Sequence, residues 1–218
     1  MNRLDAAVEF AANPDPRCPC VLLLDTSYSM SGGPIGALND GLHAFEQDIR
    51  DDPLASRRVE IAVVTFGNGG VRTVQEFTVA GNLEAPTLTA GGDTPMGAAI
   101  NRALDLIRER KNVYKANGIA YYRPWAFMIT DGAPTDAWQS AAQRVKAEEA
   151  ANGVAFFAVG VNNANIEQLA QIAVRQPVKL DGLRFRELFL WLSQSQKRVS
   201  ASQPGEQASL PPIGWGSV

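Results

Sequence analysis

Histidine is nearly absent from this chain of 218 residues, which has one, His43, and cysteine appears only twice, as Cys18 and Cys20. A serine–histidine–aspartate nucleophile would have to use His43, which falls mid-helix, away from the loops where strands end. Two cysteines without a second pair do not complete a zinc site. On an extended Cys-Pro-Cys segment the thiols share a face but stand too far apart for an easy disulfide, so they read as ordinary strand-entrance residues. Cationic excess is also missing: 20 Lys and Arg face 23 Asp and Glu, a net charge of −3. Nothing is left over to neutralise phosphates, which argues against a nucleic-acid partner. No apolar run approaches the ~20 residues that span a bilayer. The segment up to Pro16 lacks the apolar run of a secretory leader, so a cytoplasmic location is the expectation. No Gly-x-x-x-x-Gly-Lys-Ser/Thr loop is present for nucleotide phosphates.

What is present is ordinary globular composition, 45% hydrophobic and 20% charged, in a chain long enough for one large domain. Apolar strands alternate with amphipathic helices. Strands are expected at Cys20 to Leu24, Val59 to Phe66, Val71 to Phe77, Trp125 to Thr130, Val154 to Val161 and Val178 to Leu180. Helices are expected at 35–50, from Thr94-Pro95 onward, and at 137–152, 166–172 and 185–199. Thr94 would cap its helix with Pro95 in the first position, and Gly153 would stop the helix before it. The Gly67-Asn68-Gly69-Gly70 turn makes Val71 to Phe77 an antiparallel edge strand. Arg108-Glu109-Arg110-Lys111 reads as a solvated helix end. This alternation predicts an α/β fold: a doubly wound, mostly parallel sheet with helices on both faces and one antiparallel edge strand. The expected division is a lead-in over 1–17, one domain over 18–199, and a Pro/Ser-rich tail over 200–218 whose Leu210, Ile213 and Trp215 are costly to leave in water.

In such a sheet, ligands sit beyond the carboxyl ends of the strands. Three segments bring oxygen donors there: Asp25-Thr26-Ser27-Tyr28-Ser29, Asp93-Thr94, and Thr130-Asp131-Gly132. Singly, each favours turns and helix caps over a ligand. Converging, they offer hard oxygens to a divalent cation such as Mg²⁺. A site built mainly of neutral hydroxyls would leave much of the cation's charge free to grip an acidic group.

Asp25-Thr26-Ser27-Tyr28-Ser29, then Thr94, then Asp131-Gly132, resemble in order and placement the metal-ion-dependent adhesion site of von Willebrand factor A domains, over about residues 18–199. The resemblance implies a Rossmann-like fold and a non-enzymatic protein-interaction module. Ser27 and Ser29 would bind Mg²⁺ (or Mn²⁺ or Ca²⁺) directly, Thr94 directly or through water, and Asp25 and Asp131 mostly through metal-bound waters. The remaining position would await a partner's Asp or Glu. More narrowly, residues 23–30, 125–136 and Leu210-Pro211-Pro212-Ile213-Gly214-Trp215 resemble the bacterial TerY family of tellurite-resistance and stress-response clusters. That implies partnership with a serine/threonine kinase and a metal-dependent protein phosphatase.

Two other functions compete. Asp25 at the end of the first strand would suit the nucleophile of a Mg²⁺-dependent phosphatase or phosphotransferase. The second carboxylate such chemistry needs is replaced by Ser27, a poor proton donor. The chain would alternatively be a kinase substrate, at Thr78, Thr87, Thr89, Ser200, Ser202 or Ser209.

Overall fold

The structure, a computed structural model, describes residues 3–217. The ends of the expected lead-in and tail, residues 1, 2 and 218, lie outside the described residues. In chain order the elements are α1 (Arg3–Ala12), β1 (Cys18–Thr26), a 3-10 turn (Tyr28–Met30), α2 (Gly33–Arg50), α3 (Ala55–Arg58), β2 (Val59–Gly67) and β3 (Gly70–Val79). A second 3-10 turn (Ala80–Asn82) precedes α4 (Met96–Ala116), β4 (Trp125–Thr130), α5 (Gln139–Ala150), β5 (Ala155–Gly160), α6 (Ile166–Ile172), β6 (Val178–Leu180), α7 (Phe185–Ala201) and β7 (Gly216–Ser217). Among the described residues no helix is long and apolar enough to cross a membrane.

The strands form one sheet in the order β3-β2-β1-β4-β5-β6-β7. β2, β1, β4, β5 and β6 run parallel, and β3 pairs antiparallel with β2 at one edge. β1 and β2 are buried along their whole length, as unbroken apolar strands covered on both faces should be. Leu22 and Leu24 pack with α2 and α7 residues such as Phe45 and Phe189. The alternate residues Val21 and Leu23 pack with Ile100 of α4 and Val145 of α5. After β1 the chain builds outward through β2 and β3, then returns to place β4 on the other side of β1. The crevice at the carboxyl ends of β1 and β4 is therefore the switch point where this architecture binds ligands.

Several expectations are revised. The segment before β1 forms α1, pinned where Phe10 lies under the guanidinium groups of Arg17 and Arg110, at 5.2 and 5.3 Å. Arg110 is not at a solvated helix end: α4 continues to Ala116 and Arg110 is buried. Its Nε and Nη2 donate to Glu60 at 2.7 and 2.8 Å, and Arg17 Nε donates to the same carboxylate at 2.9 Å. Tyr114 hydroxyl completes the cluster on Glu60. Glu60 sits on a strand buried on both faces, so it has to find cations inside the fold. The left-handed residue after α5 is Asn152 (φ 53°) and not Gly153.

The C-terminal end docks. Trp215 is buried, Trp191 Nε1 donates to the Pro211 carbonyl at 2.8 Å, and β7 adds an antiparallel strand to β6. Cys18 and Cys20 are free and buried, and burial pushes both thiols well up from their ordinary values. Ser200 is fully buried, with its hydroxyl donating to the Lys197 carbonyl at 3.0 Å, so it is not open to a kinase. Thr87, Thr89 and Ser209 are exposed.

Candidate functional site

Asp25 is the penultimate residue of β1, where the strand's continuous burial leaves its carboxyl group without exposed surface. Both oxygens are engaged. Oδ1 accepts the Ser27 N–H at 2.8 Å, the turn that an aspartate favours two residues on. Oδ2 accepts the Thr130 hydroxyl at 2.5 Å, from the last residue of the neighbouring β4. Burial pushes the Asp25 carboxyl above its ordinary value; hydrogen bonds from Ser27 and Thr130 pull it part of the way back, and Asp131 adds to the rise.

Held this way, the loop turns its serines to one point. Ser27 Oγ lies 3.0 Å from Ser29 Oγ, and Ser29 Oγ donates to Asp131 Oδ1 at 2.6 Å. Thr94 Oγ1 reaches the same place from the other side. A methyl group built on Gly132 would stand 3.3 Å from Thr94 Oγ1 and 3.7 Å from Ser29 Oγ. Thus Asp25, Ser27, Ser29, Thr94 and Asp131 are brought to one end of the sheet, around a cradle that a single Cβ would fill.

Close backbone contacts hold the three segments together. Tyr28 N–H donates to the Gly92 carbonyl at 3.0 Å, and Gly91 N–H donates to the Thr26 carbonyl at 2.8 Å. Gly92 has φ +73°, and a Cβ there would meet the Gly67 carbonyl oxygen at 2.7 Å. Gly67, at φ +145°, would drive a Cβ to 2.2 Å from the Thr26 carbonyl carbon. Only glycine meets both demands, which explains the glycines flanking the Thr94 loop and closing β2. Farther back, Asn39 of α2 accepts from Leu88 N at 2.8 Å and donates to Leu88 O at 3.0 Å. Glu46 accepts from Ala85 N at 3.1 Å. The loop that delivers Thr94 is thereby tied to a helix.

Thr94 does not cap α4. Asp136 does so from across the site, accepting Gly97 N at 2.9 Å and Ala98 N at 2.8 Å. Thr94 instead exchanges backbone and hydroxyl bonds with Thr135: its N–H donates to Thr135 Oγ1 at 3.1 Å and its carbonyl accepts Thr135 N–H at 2.9 Å. The reason is directional. The Thr94 hydroxyl faces Gly132, which leaves the first N–H groups of α4 to another acceptor. Thr130 stood in one of the three oxygen-bearing segments but not among the five expected metal residues, whereas Thr135 and Asp136 lay outside those segments altogether. Asp93, the neighbour of Thr94, is exposed.

Among the described residues no group of three or more His, Cys, Asp and Glu is placed to hold a metal ion. The donors here are of another kind, three hydroxyls backed by two carboxylates, one of them fully buried. Such neutral hard oxygens suit a hard divalent cation and would leave part of its charge uncompensated. His43 lies on α2 with half its side chain exposed, 3.7 Å from Glu46, and takes no part.

Comparison with known proteins agrees with this architecture. The model of the von Willebrand factor type A domain matches residues 20–180. The pilus adhesin SpaC from Lactobacillus rhamnosus GG superposes with a TM-score of 0.69 at 14% identity, covering 86% of this chain and 31% of that one. Proximal thread matrix protein 1 from the mussel byssus gives 0.58 at 18% identity, covering 84% and 48%. It is also known with a zinc-occupied metal-ion-dependent adhesion site motif. The ArnB paralog VWA2 from Sulfolobus acidocaldarius gives 0.55 at 19% identity, covering 83% and 45%. This chain thus spans half or less of the length of these three structural relatives. At such identities they speak to the fold, and they share the mostly parallel sheet with helices on both faces. With its family model matched over most of its length, the chain belongs to the von Willebrand factor type A domain family.

Proposed function

We propose that the protein is a Mg²⁺-dependent, non-enzymatic protein-interaction module that captures an acidic side chain of a partner. The observation that carries this reading is the run of oxygens from Ser27 through Ser29 to Asp131, closed by Thr94 across Gly132. Ser27, Ser29 and Thr94 would hold the metal through their hydroxyls, with Asp25 and Asp131 behind them. Bound there, Mg²⁺ (or Mn²⁺ or Ca²⁺) supplies positive charge and an open position for an Asp or Glu carboxylate. Asp25 orients the loop through Ser27 N–H, and Thr130 orients Asp25, so the hydroxyls are aimed before any ligand arrives.

The TerY-like stretches extend the proposal to a bacterial stress-response or tellurite-resistance system with a serine/threonine kinase and a metal-dependent phosphatase as partners. This extension rests on sequence resemblance. Phosphorylation at the exposed Thr87, Thr89 or Ser209 would be its regulatory counterpart. A phosphatase using Asp25 as nucleophile is disfavoured, because Asp25 is fully buried and both its oxygens accept hydrogen bonds.

The test is calorimetric titration of Mg²⁺ into the wild type and Thr94→Ala, followed by pull-downs with kinase and phosphatase candidates in Mg²⁺ and in EDTA. Saturable Mg²⁺ binding lost in Thr94→Ala, with capture abolished by EDTA, is expected. Equal capture with and without chelator removes the metal bridge.

A further inference from the structure

The 3-10 turn that follows β1 sorts its apolar side chains in two directions. Met30 goes into the core, while Tyr28, between Ser27 and Ser29, is 77% exposed, the most of any large hydrophobic side chain among the described residues. A ring left in water at the rim of a cleft has its burial still to gain, and tyrosine is one of the side chains that anchor interfaces.

Tyr28 has a charged neighbour. Its N–H donates to the Gly92 carbonyl at 3.0 Å, which brings the next residue, Asp93, alongside it. Asp93 is exposed and lies one Cα step, about 3.8 Å, from both Gly92 and Thr94. Gly92 is seated against the Gly67 carbonyl, so backbone packing fixes this arrangement. Among the described residues Asp93 enters no ion pair. Arg72, the cation of the adjoining hairpin, is turned instead to Gly69, whose carbonyl accepts its Nε at 3.3 Å. An exposed aromatic ring and an unpaired carboxylate therefore stand on adjoining backbone segments at the rim of the hydroxyl cluster.

Arginine suits both groups. Its planar guanidinium stacks on an aromatic face and presents a fork of donors to a carboxylate. An apolar side chain would use the ring and leave Asp93 without a partner, and a second acid would meet a like charge. We propose that Tyr28 and Asp93 read an arginine adjacent to the partner's acidic residue. The partner segment is thus one of mixed charge, Arg beside Asp or Glu, and not a run of acids. This rests on the Mg²⁺-dependent capture proposed above and adds the class of partner sequence it selects.

The experiment titrates the 218-residue chain with the capped tetrapeptides Ala-Arg-Asp-Ala and Ala-Asp-Arg-Ala. Each is paired with an analogue carrying neutral citrulline in place of arginine, in Mg²⁺ at a saturating level set beforehand by calorimetry. Binding is read on the ring resonances of the four tyrosines, with Tyr28 assigned by Tyr28→Leu. The expected result is a saturable shift at Tyr28, with at least one arginine peptide binding about fivefold tighter than its citrulline analogue. That preference is lost in Asp93→Asn, and the arginine peptide binds more weakly to Tyr28→Leu. Both side chains are exposed, so the two variants keep the core and should still bind Mg²⁺. No shift at Tyr28 with any peptide, equal affinity for arginine and citrulline, or the same preference in Asp93→Asn would each overturn this proposal, and Mg²⁺ binding by the wild type would leave the metal reading standing. Absence of Mg²⁺ binding would overturn both.

Discussion

The Thr130 hydroxyl donates to Asp25 Oδ2 at 2.5 Å, locking the last residue of β4 to the buried carboxylate near the end of β1. This bond, with the Ser27 N–H on the other oxygen, lets a carboxylate stay where water cannot reach it. The raised Asp25 value fixes a sign. The folded metal-free protein binds the Asp25 proton more tightly than the unfolded chain does. Ionised Asp25 therefore subtracts stability, and increasingly so as pH rises from the ordinary carboxylate range through the raised value. Asp25→Asn should melt at or above the wild-type temperature at pH 7 in EDTA. Mg²⁺ at a hundredfold excess over its dissociation constant should stabilise the wild type by about 2.7 kcal/mol and leave the variant unmoved. Thermal melts in the two buffers check both statements, and a Mg²⁺-responsive Asp25→Asn protein would contradict the proposed site.

Gly132 tests the cradle without touching a donor. Its φ lies outside the left-handed range, so alanine adds no backbone strain, but its Cβ would stand 3.3 Å from Thr94 Oγ1. Gly132→Ala should keep its fold by circular dichroism and lose at least tenfold in Mg²⁺ affinity, about 1.4 kcal/mol. Unchanged calorimetric affinity would place the metal elsewhere.

Glu46 gives a pH dependence of the opposite sign. Burial alone would raise its carboxyl, yet the Ala85 N–H and Arg50 together hold it below its ordinary value. Its stabilisation is fully present above the ordinary carboxylate range and is lost as pH falls through the lowered value. Glu46→Gln should cost about 1 kcal/mol at pH 7. The gap from wild type should close on acidification, as measured by urea unfolding in EDTA at stepped pH.

The Glu60 cluster should dominate stability at the other end of the sheet. Glu60→Gln leaves Arg17 buried without a counter-charge and Arg110 with Glu9 alone, and removing one member of such a group costs about 3–5 kcal/mol. Denaturant titration reads the loss directly. Mg²⁺ affinity should be unchanged in whatever fraction stays folded.

Cys18 and Cys20 should be silent to a thiol reagent in the native state and should react as two thiols after unfolding. Burial removes access and also raises both thiols away from the reactive thiolate. Prompt native reactivity would mean that the amino end of β1 opens readily.

The elements whose signal is local were legible in the sequence. β4 at Trp125–Thr130, α6 at Ile166–Ile172 and β6 at Val178–Leu180 begin and end where the spacing of their apolar residues places them. So was the meeting of Asp25, Ser27, Ser29, Thr94 and Asp131, because a doubly wound sheet delivers the carboxyl ends of β1 and β4 to one crevice. Elements made by distant partners were hidden. β7 exists only because residues 216 and 217 find the free edge of β6. α1 is held by Phe10 and by an Arg110 that sequence alone puts in water. Capping of α4 went to Asp136, since the direction of the Thr94 hydroxyl is set by three loops packed through Gly67 and Gly92. Sequence determined which residues could supply oxygens and which strands carry them, through periodicity and strand order. Only the tertiary structure decided which oxygens are spent on each other and which remain for a ligand, because hydrogen bonds are directional and burial leaves each donor few acceptors.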